Sequence, residues 1–332
     1  MDGHRIEKDM NIVKVLTAQA KGERVESDKL KEINDEIGVL LSDMNPMNRH
    51  MIAQLISYGV TELNKTTPNF IDTFADVKRV GFGDKAEFKA GVGRIKAVIQ
   101  ATGATTPRSR VANKKVTLDT ISVSARPSVS LIEVLRGEKN MADLIRSAQY
   151  EMDLVKLGHI VNVLKNGVSA YGAPFYATGN GVVASTLDPM LMHFRRQGAV
   201  AMLGDPAITD RVAVLAGFTN AGATVYGANT IDDYHKNGVI GSYRGVKVNT
   251  MLNPPVGDGK TLAMDPALLY IMALGMSTDA RCLKVLEEGN MIVNEATNID
   301  DLSFDVRLDQ LFGAAYIVGD VPTMAVYEDT SL

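Results

Sequence analysis

Two strand-like runs joined by a turn constrain this chain of 332 residues more than any other feature of its sequence. The runs extend from Ala86 to Ala101 and from Arg110 to Ala125, and residues 102–107 between them have turn chemistry. As strands, each would span about 50 Å, whereas a compact chain of this length has a radius of gyration of about 20 Å. An isolated two-stranded ribbon is at best marginally stable in water. The sequence therefore predicts a projecting hairpin that lies on a neighbour, although residues 94–100 also fit a helical turn.

The predicted hairpin is basic in a chain whose formal net charge is −4. Residues 85–115 contain one acid, Glu87, and eight bases, which are Lys85, Lys89, Arg94, Lys96, Arg108, Arg110, Lys114 and Lys115. Residues 287–309 contain one base, Arg307, and seven acids, which are Glu287, Glu288, Glu295, Asp300, Asp301, Asp305 and Asp309. Two oppositely charged segments can meet within one subunit or between copies, and the second arrangement forms head-to-tail assemblies. We expect these basic residues to contact the acidic stretch of an adjacent copy.

The expected contact cannot depend on charge alone for its strength. An exposed ion pair contributes about 0.2–1 kcal/mol, whereas a standard interface of about 1,600 Å² gives a gross apolar stabilisation of about 40 kcal/mol before ordering costs. We therefore expect apolar burial to supply the strength of an assembly and the charges to set its register.

Enzyme chemistry is not indicated by the sequence. The histidines are not paired at metal-ligand spacing, no Gly-x-Ser-x-Gly occurs, and the lone Gly-x-Gly elements at 81–83 and 179–181 fit ordinary turns. The single cysteine, Cys282, excludes an intramolecular disulfide and fits a core position. We expect no catalytic residue, cofactor or metal. We also expect no signal peptide or membrane span, because the longest nearly apolar stretch, residues 267–276, is about half the ~20 residues that a bilayer requires.

The remaining chain alternates helical and strand patterns. Residues 7–63 have helical periodicity, with a restart at Asn45-Pro46, and form either an arm or a small helical domain. The clearest helix follows Gly137 and ends at Asn166-Gly167; its apolar stripe is Met141, Leu144, Ile145, Ala148, Met152, Val155 and His159. Further on, Asp188-Pro189 and Asp205-Pro206 each predict the start of a helix. The strands expected in this part are 199–203, 243–252, 268–274, 282–286 and 304–318.

The order of these elements resembles that of the major capsid proteins of tailed bacteriophages with the Hong Kong 97-type fold. The resemblance rests on the hairpin at 86–125, the long helix at 139–165, the Gly204 to Val212 segment and the Tyr243 to Val248 segment with Asn253-Pro254-Pro255 after it. It implies an α+β fold with an N-terminal helical arm (1–80), an extended β-hairpin loop (81–126), a peripheral domain with a long spine helix (127–168 and 287–332) and an axial α/β domain (169–286).

The resemblance also implies a function. The chain would be a structural subunit that forms hexamers and pentamers in an icosahedral shell around the double-stranded DNA of a tailed phage. Its partners would be further copies of itself, portal, scaffold and decoration proteins, and DNA bound without sequence specificity. It would be assembled in the host cytoplasm and found in the virion. An encapsulin-like protein compartment is the alternative with the same fold. A DNA-binding protein that uses the basic hairpin is the alternative from another class, although Phe88 is the only aromatic residue in the hairpin.

Overall fold

The computed structural model of the protein describes residues 12–19, 21, 23, 25–42, 45–66, 74–90, 114–130, 141–213, 215, 241–251, 253–255, 260–297, 303–319 and 321–332. Its helices are α1 (residues 12–19), α2 (Ser27–Ser42), α3 (Pro46–Thr66), α4 (Met141–Ser169), α5 (Ala184–Arg195) and α6 (Pro206–Ala213). Its strands are β1 (Ala75–Val80), β2 (Glu87–Ala90), β3 (Lys114–Thr117), β4 (Ile121–Ala125), β5 (Ser128–Ser130), β6 (Tyr176–Gly179), β7 (Val200–Gly204), β8 (Ser242–Tyr243), β9 (Val246–Thr250), β10 (Leu268–Ala273), β11 (Leu283–Thr297), β12 (Ser303–Tyr316) and β13 (Met324–Asp329).

The N-terminal helices α1, α2 and α3 are docked on the body. The side-chain oxygen of Asn45 accepts a hydrogen bond from the backbone N–H of Asn48 at 2.9 Å and so caps α3 at the predicted restart. Leu16, Ile37 and Ile56 are buried in the same apolar cluster as the interior residues of α4, β11 and β12. Because one core includes all of these residues, the described part of the N-terminal region is an integral layer of the subunit and not a detached arm.

A five-stranded sheet forms one half of the body. Its strand order is β1-β11-β12-β4, and β5 pairs with the start of β12. The strand predicted at 282–286 is the start of β11, which continues past a bulge at Gly289, where φ is +69°. Helices α3 and α4 pack against β11 and β12, which gives this half two layers.

The long helix predicted from the apolar periodicity is α4, with two corrections. Val155 is 54% exposed, and the buried stripe continues from Met152 through Ile160 and Leu164 instead, because the stripe turns slowly around a helix of 3.6 residues per turn. The predicted stop at Gly167 is also wrong, since α4 continues to Ser169. Gly167 packs against Tyr316, where a Cβ would overlap the tyrosine side chain, so this glycine permits close packing inside the helix.

A six-stranded sheet of order β6-β13-β10-β7-β9-β8 forms the other half of the body. The predicted strands at 199–203 and 268–274 are its buried centre, as β7 and β10. Strand β13 lies between β6 and β10. The division that placed residues 287–332 in one unit does not describe β13, because its backbone pairs with β6 and β10 of the segment 169–286.

The two Asp-Pro pairs behave differently. Asp205 accepts a hydrogen bond from the backbone N–H of Ala207 at 2.8 Å, and α6 begins at Pro206 as predicted. Helix α5 begins earlier than predicted, at Ala184, and Pro189 lies inside it. The carboxylate of Asp188 instead accepts a hydrogen bond from the hydroxyl of Tyr243 at 3.0 Å, so it joins the helix to the sheet.

Among the described residues, no helix is both long and apolar enough to cross a bilayer.

Candidate assembly interface

The base of the predicted hairpin is a small two-stranded sheet, which we call the hairpin root and define as residues 80–90 and 114–120. Strands β2 and β3 are antiparallel, and among the described strands they pair only with each other. Their register places Lys89 opposite Lys115 and Phe88 opposite Val116. The rest of the predicted ribbon, residues 91–113, lies outside the described residues.

The second predicted run is not one strand. The chain leaves β3 at Thr117 and enters β4 at Ile121, which pairs with β12 and not with β2. Gly313 of β12 makes this path possible, because a Cβ there would be 2.6 Å from the carbonyl oxygen of Asp119. The hairpin therefore rejoins the body at residues 118–120, beside the five-stranded sheet.

A small apolar cluster anchors the hairpin root to the body. Phe88 is fully buried against Ala86 and Leu286, with Val80 and Leu118 packed around them. The ammonium of Lys78 lies 5.0 Å from the centre of the Phe88 ring and donates a hydrogen bond to the carbonyl oxygen of Glu87 at 2.6 Å. This cluster is separate from the two larger apolar cores, so the root has its own limited source of stability.

Glu288 of β11 holds both ends of the root. Its Oε1 accepts a hydrogen bond from the backbone N–H of Gly83 at 2.9 Å, and its Oε2 accepts one from the hydroxyl of Thr120 at 2.9 Å. Gly83 precedes β2, and Thr120 follows β3. One carboxylate therefore fixes the two points at which the hairpin leaves and rejoins the body.

Two lysines of the root pair with acids of their own subunit. Lys89 contacts Asp279 at 3.0 Å, and this hydrogen bond holds the pKa of Asp279 below its usual value. Lys115 pairs with Glu87 across the two strands. Beneath them, the buried Lys284 contacts Asp76 at 2.8 Å and also donates a hydrogen bond to the carbonyl oxygen of Asp279 at 2.9 Å.

Glu287 of β11 connects β1 to the long helix α4. It contacts Arg79 at 2.8 Å and Lys156 at 3.8 Å, and Lys156 is only 3% exposed. Asp153 of α4 lies 3.6 Å from the same lysine, and burial raises the pKa of its carboxyl. Removing either acid would leave the charge of the buried lysine less well compensated and would therefore destabilise the folded subunit.

On β12, two further predicted acids also have partners in their own subunit. Asp305 pairs with Arg126. Asp309 accepts hydrogen bonds from Arg307 at 3.1 Å and from Ser122 at 3.3 Å.

The predicted site residues therefore divide into three groups. The structure places Lys89, Lys115, Glu287, Glu288, Asp305 and Asp309 in contacts within the subunit. Lys85 and Lys114 are exposed, and no ion pair is found for either among the described residues. Arg94, Lys96, Arg108, Arg110, Asp300 and Asp301 lie outside the described residues. A contact between the hairpin and the acids of another copy stays a prediction for all of them.

Sequence reasoning missed Asp279 and Arg79, because each lies outside both charged segments and becomes a partner only through the tertiary fold. Cys282 is buried as predicted, where its sulfur accepts a hydrogen bond from the backbone N–H of Thr323 at 3.3 Å. Within the described ranges, no group of three or more potential metal ligands was found.

The fold has counterparts among solved structures. The fold is that of tailed-phage capsid proteins of the Hong Kong 97 type, and two solved structures share it. The mature capsid of bacteriophage PhiM1 matches with a TM-score of 0.50 and 14% identity over 78% of this chain and 86% of its own. A structure from Microbacterium phage Oxtober96 matches with a TM-score of 0.51 and 14% identity over 76% of this chain and 89% of its own. At these identities the likeness shows the fold alone.

The family is shown by sequence. The family model described as "SPbeta prophage-derived putative capsid protein YonB" matches residues 4–327, and the chain belongs to this family. No curated protein matches the chain. The chain is therefore a structural subunit of a capsid shell, which confirms the role of shell subunit that the resemblance implied.

Proposed function

We propose that this subunit forms the hexamers and pentamers of an icosahedral shell around double-stranded DNA, with its hairpin lying on an adjacent copy. The observation that carries the proposal is the hairpin root. Its two strands pair only with each other among the described strands. They are held to the body by one small apolar cluster, by Glu288, and by the contacts of Lys89 with Asp279 and of Lys78 with Glu87. A two-stranded ribbon that continues beyond such a root gains support from a second surface.

The proposed contact involves the basic residues of the hairpin and the acidic stretch of the next copy. Glu287, Glu288, Asp305 and Asp309 already have partners in their own subunit, so an incoming lysine or arginine would share these carboxylates. Asp300 and Asp301 follow β11 in the sequence and complete the acidic stretch to which an incoming base would bind. Arg94, Lys96, Arg108, Arg110, Lys85 and Lys114 are the bases proposed to reach them.

The proposal extends to the wider setting of a shell subunit. Portal, scaffold and decoration proteins would be its other partners, the host cytoplasm its place of assembly, and its role would be structural and not catalytic. The enclosed cargo separates this function from that of a protein compartment. Purified particles should contain nuclease-protected DNA, and particles filled with a host protein would contradict this part of the proposal.

Charge reversal tests the hairpin contact. We expect the triple variant R108E/R110E/K114E to give a folded subunit that assembles poorly, since each change places an acid opposite the acidic stretch. Lys115 is left unchanged because it pairs with Glu87 inside the root. Particle yield after sedimentation is the measurement, with thermal unfolding as the test of folding.

A matched control reverses three exposed lysines of the N-terminal helices and the turn between them, as the variant K14E/K21E/K31E. This control changes the net charge by the same amount. Wild-type particle yield from the hairpin variant, or an equal loss from the control, would contradict a specific role for the hairpin.

A further inference from the structure

A turn at the start of the hairpin root presents an aromatic ring to solvent. Phe82 is 69% exposed, which is the largest value among the exposed large apolar side chains of the described residues. Single exposed apolar residues are common on protein surfaces. The surroundings of Phe82 are less common, because the turn that carries it is fixed at several points.

Backbone contacts on both sides hold Phe82 in place. The backbone N–H of Asp84 donates a hydrogen bond to the carbonyl oxygen of Gly81 at 3.1 Å, and the N–H of Gly83 donates one to Glu288. The Phe82 ring lies against Gly289, where a Cβ would be 3.1 Å from a ring carbon. An aromatic side chain held in this way loses little conformational entropy when a partner covers it, which is a property of binding anchors.

A groove of about 540 Å³ lies beside Phe82, between α3 and the bulge of β11. Its lining includes Thr61, Met291 and Gln310. Gln310 lies on β12 opposite the bulge, where the register between β11 and β12 shifts. Its side-chain oxygen is buried and has no hydrogen-bond partner among the described residues. A buried acceptor without a partner lowers the stability of the folded subunit, so a donor that reached this oxygen would be bound favourably.

We propose that this groove receives a segment of a second copy of the chain, which packs on Phe82 and, once the Gln310 side chain turns toward the groove, donates a hydrogen bond to its Oε1. The inference rests on the proposed function and adds a specific apolar anchor to it. A second copy is the occupant because the groove is continuous with the hairpin root, from which the proposed contact with the adjacent subunit begins. The donor is a backbone N–H, a hydroxyl, or the ammonium or guanidinium group of a basic side chain.

The first test replaces the anchor. The variant F82S should raise the protein concentration needed for assembly by at least ~10-fold, as loss of an interface anchor does, while the subunit keeps its melting temperature. The control is V39S, because Val39 on α2 is 67% exposed and is distant in sequence from the groove. We expect the control to change the assembly concentration by less than ~2-fold. Light scattering across a dilution series measures both.

The second test replaces Gln310, whose side-chain oxygen has no hydrogen-bond partner among the described residues, and predicts opposite effects on subunit stability and on assembly. In Q310M, the isolated subunit should become more stable, because an unsatisfied buried oxygen is removed, whereas assembly should weaken by ~5-fold or more, because the partner's donor loses its acceptor. A residue with only a structural role would not separate these two effects.

The outcomes distinguish the two proposals. Unchanged assembly of F82S and Q310M, with wild-type protein forming particles, would overturn this inference and leave the proposed function standing. Failure of the wild-type chain to assemble under any condition would overturn the proposed function and this inference with it.

Discussion

Removal of the Phe88 ring is predicted to open the hairpin root while the body stays folded. Phe88 is fully buried, and the substitution of a buried phenylalanine by alanine costs about 3–5 kcal/mol. Among the residues that the structure describes, the cluster around it contains only Ala86 and Leu286 as further buried residues, and it is separate from the two larger cores. The loss therefore falls on the local opening of β2 and β3.

Hydrogen exchange measures this local opening in the unassembled subunit. A loss of about 3 kcal/mol corresponds to about 100-fold faster exchange of the amides in β2 and β3. Amides of α4 should change by no more than ~3-fold, because the main core is untouched. The matched control is F82A, since Phe82 is mostly exposed and its loss should leave the exchange of both elements unchanged.

Two results would refute the reasoning. If α4 exchanged faster to the same degree as β2 and β3, the root and the body would be one cooperative unit and not a separately anchored ribbon. If the root amides were unaffected by F88A, the polar contacts of Glu288 and Lys89 would hold the root without the apolar cluster.

Two sites within the body, the packing of Gly167 and the hydrogen bonds of Glu328, give further predictions. Denaturant unfolding should show G167A destabilised by about 1–3 kcal/mol, because the added methyl group overlaps Tyr316. The control G38A on α2 should be stabilised by about 0.5–1 kcal/mol, because nothing lies within 4 Å of its Cβ. Equal effects of the two substitutions would contradict the packing role of Gly167. Hydrogen bonds from Lys165 and Tyr176 lower the pKa of Glu328, so its contribution to stability is present above the unfolded-state pKa of about 4.3 and is lost as the pH falls through the lower folded-state value. Thermal unfolding should show E328Q about 1 kcal/mol less stable than the wild type at pH 7, a gap that closes in acid; a gap independent of pH would show that the carboxylate charge plays no part.

Local patterns predicted the elements that local physics controls. The apolar periodicity of α4 and the capping chemistry of Asp205 are properties of neighbouring residues, and both were confirmed. The end of α4 was wrong because Gly167 is also a common stop signal, and only the contact with Tyr316 shows that it serves close packing. Strand β13 was missed because its six residues do not alternate between apolar and polar. They form a strand by pairing with β6 and β10, which lie far away along the chain.

The candidate interface was predicted from two segments of opposite charge. That a basic hairpin meets an acidic stretch of another copy stays a prediction. The sequence could not show that Glu288 holds both ends of the root, because Gly83 and Thr120 are more than 150 positions away along the chain. The buried pair of Lys284 and Asp76 was hidden for the same reason, since a charge within a strand pattern usually indicates a solvent-facing position.

The central claim is that the hairpin of one subunit is supported by another subunit of a closed shell. Electron cryo-microscopy of the purified protein tests it most directly. The account predicts closed particles in which residues 91–113 of each copy lie on a neighbouring copy, close to its acidic stretch. Particles in which those residues fold back on their own subunit, with no neighbouring chain in contact, would contradict it.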